Sequence, residues 1–384
     1  MSNPGPPHRE IRQIPLCVPC IGQAEKDAAI EAIESGCISH GPYNERFESE
    51  FASYLGVRHA IAMNSCASAL EIALRVNGIT GEVVVPSFTF VATANAVVNA
   101  GATPVFCDVE PRSRNVSATL IESAISDRTE AVVVVHFGGQ PCPMDEIVEL
   151  CERRNLLLIE DSAETLGATW NGRQAGSFGI GCFSFYATKS ITTGEGGMLT
   201  CNDDQMAKNA RSMIGHGVAG SASAVTERRF PWQRDALVAG CNYRMSNILA
   251  AIGYHQLRNV ESMNRMRRAI ATHYDQQLAS LADVVAAPLV MRGATHVYQM
   301  YTVVVAAGKR DDLVMKMRRC GIGASVHFDP PVHRQAFYRD SVGSTRVSLS
   351  STEALSSSIV SLPLYPSMTP DDVDYIVAVL KESL

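Results

Sequence analysis

The segment FSFYATKSITTGEGGM, residues 183–198, sets one amine, Lys189, between a short aromatic run and a glycine loop that also carries Glu195. A lysine that only solvates a surface needs no such setting, so the segment raises the question of amine chemistry. Other reactive or recognition groups stand at the ends of apolar runs. Asp161 closes LLLIED, His136 closes AVVVVH, and Phe88 to Phe90 follow VVVP. Each alone has a plainer reading: Asp161 as a helix cap or Mg²⁺ ligand, His136 as a paired structural histidine, Phe90 as core.

Together with Lys189 these residues suggest one cofactor, pyridoxal 5'-phosphate. Its aldehyde needs an amine, its pyridine nitrogen a carboxylate that keeps it protonated as an electron sink, and its phosphate backbone N–H donors. NSCASALEIAL, residues 64–74, offers such donors as small residues entering a helix. The N-terminal amides and dipole of that helix would favour a dianion. Read alone, the stretch could equally be an ordinary helix cap.

The elements that must position these groups alternate. Short β-branched runs at residues 82–86, 103–109, 131–136 and 156–161 are separated by amphipathic segments such as 68–76 and 144–154. Continuous apolar strands between helices predict a parallel sheet covered on both faces, with ligands at the carboxyl ends of its strands. A helix over 24–35 puts Ala29, Ile30 and Ile33 on one stripe and stops at Gly36, and a long one over 244–260 carries the chain out of the large domain. The remainder, with MYTVVVA, a helix near 311–320 and another from Asp371, reads as a smaller α/β domain. The expected division is 1–255 and 256–384.

At 384 residues and 46% apolar the chain exceeds what one core usually serves. A net charge of −6 with no Lys/Arg run argues against a nucleic-acid surface. Charged residues at 19%, against roughly 25% on average, fit a surface partly hidden in an oligomer. No apolar run approaches the ~20 residues of a membrane helix, and no signal-peptide core follows MSNPGPPHRE. The expectation is therefore a cytoplasmic protein. Of eleven cysteines only Cys17 and Cys20 have metal-like spacing, and no second pair completes four ligands, so no metal is expected.

Seven motifs carry a family resemblance along nearly the whole chain: ISHGPYNERFESEFASYLGVRHAIAMNS, VPSFTFVATANAV, GATPVFCDVE, IEDSAETLGA, FSFYATKSITTGEGGM, GCNYRMSNILAAIGYHQL and LPLYPSMT. In this order they resemble the DegT-type sugar aminotransferases, a branch of the fold-type I PLP enzymes. The resemblance implies a large domain with a mostly parallel sheet covered by helices, and a smaller C-terminal α/β domain. Lys189 matches the lysine that holds the cofactor and shuttles the proton to and from the substrate carbon. Asp161 matches the pyridinium partner, Phe90 the ring-stacking aromatic and Ser184 a phosphate ligand. Cys66 and Ala67 occupy the phosphate turn, and Glu164 lies where the family touches the cofactor's phenolic oxygen. Asn242 matches an asparagine that reaches the neighbouring subunit's phosphate, which implies a homodimer with shared active sites.

The chain departs from the family pattern at Ala67, where threonine is usual, and at Glu164, where Gln or His is frequent. Glu195, Arg244, His327 and His333 are candidates for substrate contact, Arg244 toward the donor carboxylate. The implied activity transfers an amino group from L-glutamate to a nucleotide-linked keto sugar, a 4-keto-6-deoxyhexose on the motifs shared with the perosamine-synthase-like branch. A 3-keto sugar or keto-cyclitol is the alternative substrate. Two other classes compete with this reading: a nicotinamide-dependent oxidoreductase, supported only by GSFGIG, and a non-catalytic PLP-fold binding protein.

Overall fold

Runs such as Val83–Val85 and Ala131–Val135 have no polar side to offer water, and both lie inside one eight-stranded sheet. The computed structural model of the chain describes residues 12–218, 232, 234–342, 344–345 and 348–384. The proline-rich stretch 1–10 lies outside the described residues.

Helices α1 (Gln23–Glu34) and α2 (Pro42–Leu55) precede strand β1 (His59–Met63). Strands and helices then alternate: α3 (Cys66–Val76), β2 (Glu82–Pro86), α4 (Val91–Asn99), β3 (Thr103–Cys107), α5 (Ala118–Ala124), β4 (Thr129–Val135), α6 (Met144–Arg154) and β5 (Leu157–Asp161). After the short β6 (Thr169–Trp170) and β7 (Arg173–Gln174) come β8 (Ile180–Ser184), β9 (Gly197–Cys201) and α7 (Asp204–Met213). The long α8 (Asn247–Leu278) leads to β10 (Val285–Ala286), β11 (Ala294–Thr295), β12 (Tyr301–Val305) and α9 (Arg310–Arg319). Last come β13 (Ser344–Thr345), α10 (Ser350–Ser358), β14 (Ile359–Leu362) and α11 (Pro370–Ser383).

The large sheet has the order β1-β9-β8-β5-β4-β2-β3-β13, and β9 alone among these strands runs against the rest. Successive side chains on a strand point to opposite faces. Val83, Val85, Val133 and Ile159 accordingly pack under α3, α4 and α7, while Val84, Val132, Val134 and Leu158 pack over α5 and α6. Each such valine is buried, which stabilises the fold by about 1.5–3 kcal/mol per side chain. A smaller antiparallel sheet, β10-β12-β14, shares its core with α9, α11 and the second half of α8.

Parallel order brings the carboxyl ends of β2, β4, β5 and β8 to one edge. There the chain delivers Ser87 to Phe90, His136, Asp161 and Ser184. The reversed β9 starts at the same edge, with Gly197 paired to Ser184. A Cβ on Gly197 would lie 2.3 Å from the Ser65 carbonyl carbon and 2.5 Å from Cys66 N. Only glycine lets the first turn of α3 approach the sheet this closely.

Two expectations need correction. The Ile30 and Ile33 stripe of α1 faces outward, 52% and 55% exposed, while Ala28 and Ala32 face the core. The helix expected over 244–260 starts at Asn247 and continues to Leu278. It therefore passes residue 255 unbroken; its residues as far as Met263 pack with the large-domain side, and those from Ile270 with the small sheet. We propose retaining the two-domain division of 1–255 and 256–384 with α8 as the shared strut.

One buried polar group, on the other face of β5 from Asp161, organises the turn that enters β8. Glu160 accepts from the backbone N–H groups of Gly176, Phe178 and Gly179, each at 2.7 Å. His136 Nδ1 accepts the Cys142 N–H, which leaves Nε2 to donate to Glu160 Oε2 at 3.1 Å. The amides of GSFGIG are thus engaged by a carboxylate at the start of β8, at the far end of that strand from Ser184, and the segment offers no dinucleotide-phosphate turn. Glu160→Ala would strand three N–H donors at about 1 kcal/mol or more apiece. The variant is expected to lose about 3 kcal/mol in urea denaturation monitored by circular dichroism; a midpoint like that of the parent would contradict this account.

Candidate active site

A cavity of about 750 Å³ opens at the carboxyl edge of the large sheet, roofed by residues that precede β12, by residues that follow α9 and by the N-terminal segment. Lys189, Asp161, Glu164, Cys66, Ala67, Ser184, Phe90 and His327 all line it. Residues from five separate segments converge there, which the order of the strands requires.

Asp161 forms the floor. Its Oδ2 accepts the Thr93 hydroxyl at 2.8 Å, and its Oδ1 accepts the Ala163 N–H at 3.2 Å. Thr89 Oγ1 lies 2.9 Å from Thr93 Oγ1, one helical turn away. Burial raises the Asp161 carboxyl above the usual aspartate range, and the Thr93 hydroxyl, the Ala163 amide and the Lys189 charge oppose that shift. Burial likewise pushes the Cys66 thiol well up, and its Sγ donates to Asp161 Oδ1 at 3.8 Å.

Lys189 Nζ donates to Glu164 Oε1 at 3.1 Å, and Glu164 Oε2 accepts the Gly138 N–H at 2.8 Å. The carboxylate is therefore fixed at one oxygen by backbone and faces the amine with the other. His327 Nδ1 lies 2.7 Å from Ser361 Oγ, and burial lowers its pKa, so it enters the cavity as a neutral imidazole near neutral pH. Phe90 caps α4 and is 63% exposed toward the opening, its ring centroid 6.4 Å from that of Phe328.

Four expected substrate or cofactor residues lie elsewhere in this chain. Glu195 and Asn242 are exposed outside the cavity, Asn242 bridged to Gly215, and Arg244 lies within 3.5 Å of His216. His333 is not brought to the cavity either: its Nδ1 is 2.7 Å from Ser87 Oγ and its Nε2 3.1 Å from Glu353 Oε1. Both ring nitrogens are engaged, so in this chain it fastens residues 329–335 to the end of β2. Cys17 reaches the cavity and donates to the Thr188 carbonyl at 3.5 Å, whereas Cys20 is exposed. Among the described residues no group of three or more His, Cys, Asp or Glu side chains could hold a metal ion.

Sequence reasoning missed Thr93, Ser65 and Gln299. Thr89 and Thr93, four apart at the start of a helix, carried a readable signal, since that spacing stacks them on one face. Gln299 carried none, because it meets the neighbours of Lys189, Thr188 and Ser190, from 111 and 109 positions away in sequence.

The residues present fit pyridoxal phosphate. The first turn of α3 has unpaired amides by its nature, and Ser65 caps it by accepting the Ser68 N–H at 3.1 Å. Gly197 lets that turn sit against the sheet beside Ser184, so an anion there meets oriented donors. Asp161 is a buried carboxyl whose environment penalises its charge until a cation faces it. Lys189 supplies the amine.

The raised Asp161 pKa has a stability consequence. The folded chain holds that proton more tightly than the unfolded chain, so stability falls as pH rises from the ordinary aspartate range toward the raised value, and the loss persists above it. Asp161→Asn has no such proton. The cofactor-free variant should melt above the cofactor-free parent at neutral pH, with the gap closing below about pH 4, while turnover is lost. A variant that melts no higher than the parent at neutral pH in scanning calorimetry would refute this.

Residues 19–381 match the DegT/DnrJ/EryC1/StrS aminotransferase family. GDP-perosamine synthase of Caulobacter vibrioides is 38% identical over 382 residues, spanning 98% of this chain and 99% of that protein. The crystal structure of the aminotransferase TlmJ from Streptoalloteichus hindustanus superposes with a TM-score of 0.89 at 33% identity, over 97% of this chain and 99% of that one. Spr1654 of Streptococcus pneumoniae, solved in its PLP form, gives a TM-score of 0.89 at 26% identity over 97% and 100% of the two chains. With matching length, matching fold and a lysine, an aspartate and a helix terminus gathered in one cavity, the chain belongs to the DegT/DnrJ/EryC1/StrS aminotransferase family and is a PLP-dependent sugar aminotransferase.

Proposed function

We propose that this enzyme moves an amino group from L-glutamate to C4 of a nucleotide-linked 4-keto-6-deoxyhexose, as a cytoplasmic homodimer with shared active sites. The observation that carries the reaction is the meeting of Lys189 Nζ with a fixed carboxylate, Glu164, above the buried Asp161 in one cavity. The similarity to a GDP-perosamine synthase supports the substrate class.

When bound, pyridoxal phosphate supplies the electron sink for the pair left as the donor's C–H bond breaks. Asp161 would hold the ring nitrogen, and the α3 turn at Cys66 and Ala67 together with Ser184 would hold the phosphate. The hydroxyl that Ala67 lacks leaves the backbone donors in place. Phe90 covers the ring from the open side. Lys189 Nζ takes the proton from the donor carbon in the first half-reaction and delivers one to the sugar carbon in the second; while Nζ carries a proton within either, Glu164 holds the ammonium. His327, neutral and anchored on Ser361, is placed to hydrogen-bond the sugar. We assign Glu195, Arg244 and His333 no step within their own chain's cavity; as substrate contacts they would act across the dimer.

The dimer reading draws support from two features. Asn242 lies exposed outside its own cavity, and Ile21, Ile30, Ile33 and Ile38 leave an apolar face on and beside α1. No helix among the described residues is long and apolar enough to cross a membrane.

Incubation with glutamate and a panel of nucleotide keto sugars, with 3-keto sugars and keto-cyclitols included, tests the substrate. Gain of an amine at C4 of a 4-keto-6-deoxyhexose is the expected result, and amination of only the other members would overturn it. Lys189→Ala should fold yet lose at least about 10²-fold in turnover, because the proton carrier is gone; near-parental steady-state rates would remove Lys189 from the mechanism. Asn242→Asp, whose charge repels phosphate, should also be severely impaired. Mixed and exchanged with Lys189→Ala subunits, it should regain activity through one intact site per dimer, and exchange without recovery would disprove site sharing.

A further inference from the structure

We propose that Gln299 is a positioning residue that fixes Lys189 by clamping both of its chain neighbours. The inference rests on the reading of Lys189 as the cofactor-bearing lysine. Gln299 Nε2 donates to the carbonyl oxygen of Thr188, and Gln299 Oε1 accepts the Ser190 hydroxyl at 3.0 Å. The primary amide satisfies a carbonyl on one side of the lysine and a hydroxyl on the other. Neither an ionised carboxylate nor an aliphatic residue can do both, since the two arms need one donor and one acceptor.

The clamp is itself held rigidly. Gln299 is 8% exposed and Ser190 5%, so both bonds are shielded from competing water. Tyr298, beside Gln299, is held at φ 50, in the left-handed region that a non-glycine residue adopts at a cost. Two backbone bonds secure the segment: Val297 N donates to the Gly139 carbonyl at 2.9 Å and Met300 N to the Gly138 carbonyl at 3.1 Å. A Cβ on Gly139, whose φ is +107, would lie 2.8 Å from Gln299 N and 2.9 Å from Tyr298 N.

The same turn holds the other half of the ion pair. Gly138 donates its N–H to Glu164, and its carbonyl accepts from Met300, one residue beyond Gln299. One segment that follows α8 therefore sets the positions of both Lys189 and Glu164, which belong to the large sheet. A loosened clamp moves the amine relative to its carboxylate and to Asp161, and small misplacements of reacting groups cost up to about 10²-fold in rate.

The test uses the holoenzyme. Gln299→Ala should weaken the visible circular dichroism per bound cofactor, which reports a fixed, asymmetric attachment to the lysine. It should also lower kcat about 10- to 100-fold with L-glutamate as donor while KM changes far less. Gln299→Glu serves as the second variant and the control for folding: its carboxylate keeps the Ser190 arm and loses the Thr188 arm, so its dichroism should fall between parent and Gln299→Ala, or match a weak signal from that variant. Visible dichroism superimposable on the parent's in both variants would overturn the proposal, even where melting temperature drops, because a merely structural glutamine would lower stability alone. Borohydride reduction of the parent followed by peptide mapping separates the two readings. Cofactor reduced onto another lysine overturns the assignment of Lys189 and the clamp with it, whereas cofactor on Lys189 with unchanged dichroism overturns only the role of Gln299.

Discussion

A carboxyl buried at the end of a strand, short of a cation to face, is the constraint around which this enzyme is arranged. Asp161 ends β5 in the interior of the sheet, where water cannot solvate its charge. Thr93 and Ala163 supply two hydrogen bonds and the Cys66 thiol a weaker third, enough to orient the group and too few to offset its burial, as the direction of its pKa shift shows. A site in this condition gains most from a ligand that brings its own positive N–H. The cost of keeping Asp161 buried without one falls on the cofactor-free protein, and binding relieves it.

The remaining elements follow from delivering other groups to that spot. A parallel sheet exposes all its strand ends on one edge, so Asp161, Ser184 and the residues after β2 arrive together without long loops. The single reversed strand, β9, serves the same end. It lets the chain leave β8, form the Lys189 loop over the edge, and return beside Ser184, with Gly197 opening space for the helix turn of Cys66. A parallel strand in place of β9 would require the chain to cross to the opposite edge before re-entering the sheet.

The elements with strong local signals were legible. The strand of residues 82–86 and the helix of 144–154 were readable to the residue, because valine runs and a clean amphipathic period leave one solution. The lysine, the aspartate and the helix turn were also readable, from type, order and the family resemblance. What escaped depends on tertiary placement. The apolar stripe of α1 was readable as a stripe and not as a direction, since periodicity cannot tell a core face from an outward one. His333 and Gln299 look equally polar in the sequence, yet the fold turns the first toward Ser87 and Glu353 and the second toward the lysine loop. Pairings across 246 and 111 positions leave no local trace.

The Lys189–Glu164 pair connects these observations to chemistry. In the proposed reaction the lysine must carry a proton between two carbon atoms without losing it to water. An ammonium on a four-carbon stem is mobile and strongly hydrated, so an open cavity with an exposed Phe90 at its mouth would invite it outward. A carboxylate anchored through one oxygen on the Gly138 amide gives that ammonium a fixed counter-charge inside the cavity. Glutamine at the same position could accept a hydrogen bond but would contribute no charge, and a neutral histidine only a lone pair. Glutamate at position 164 is thus best suited to the moment when Lys189 holds the proton, and its value lies in where it keeps the amine during each transfer.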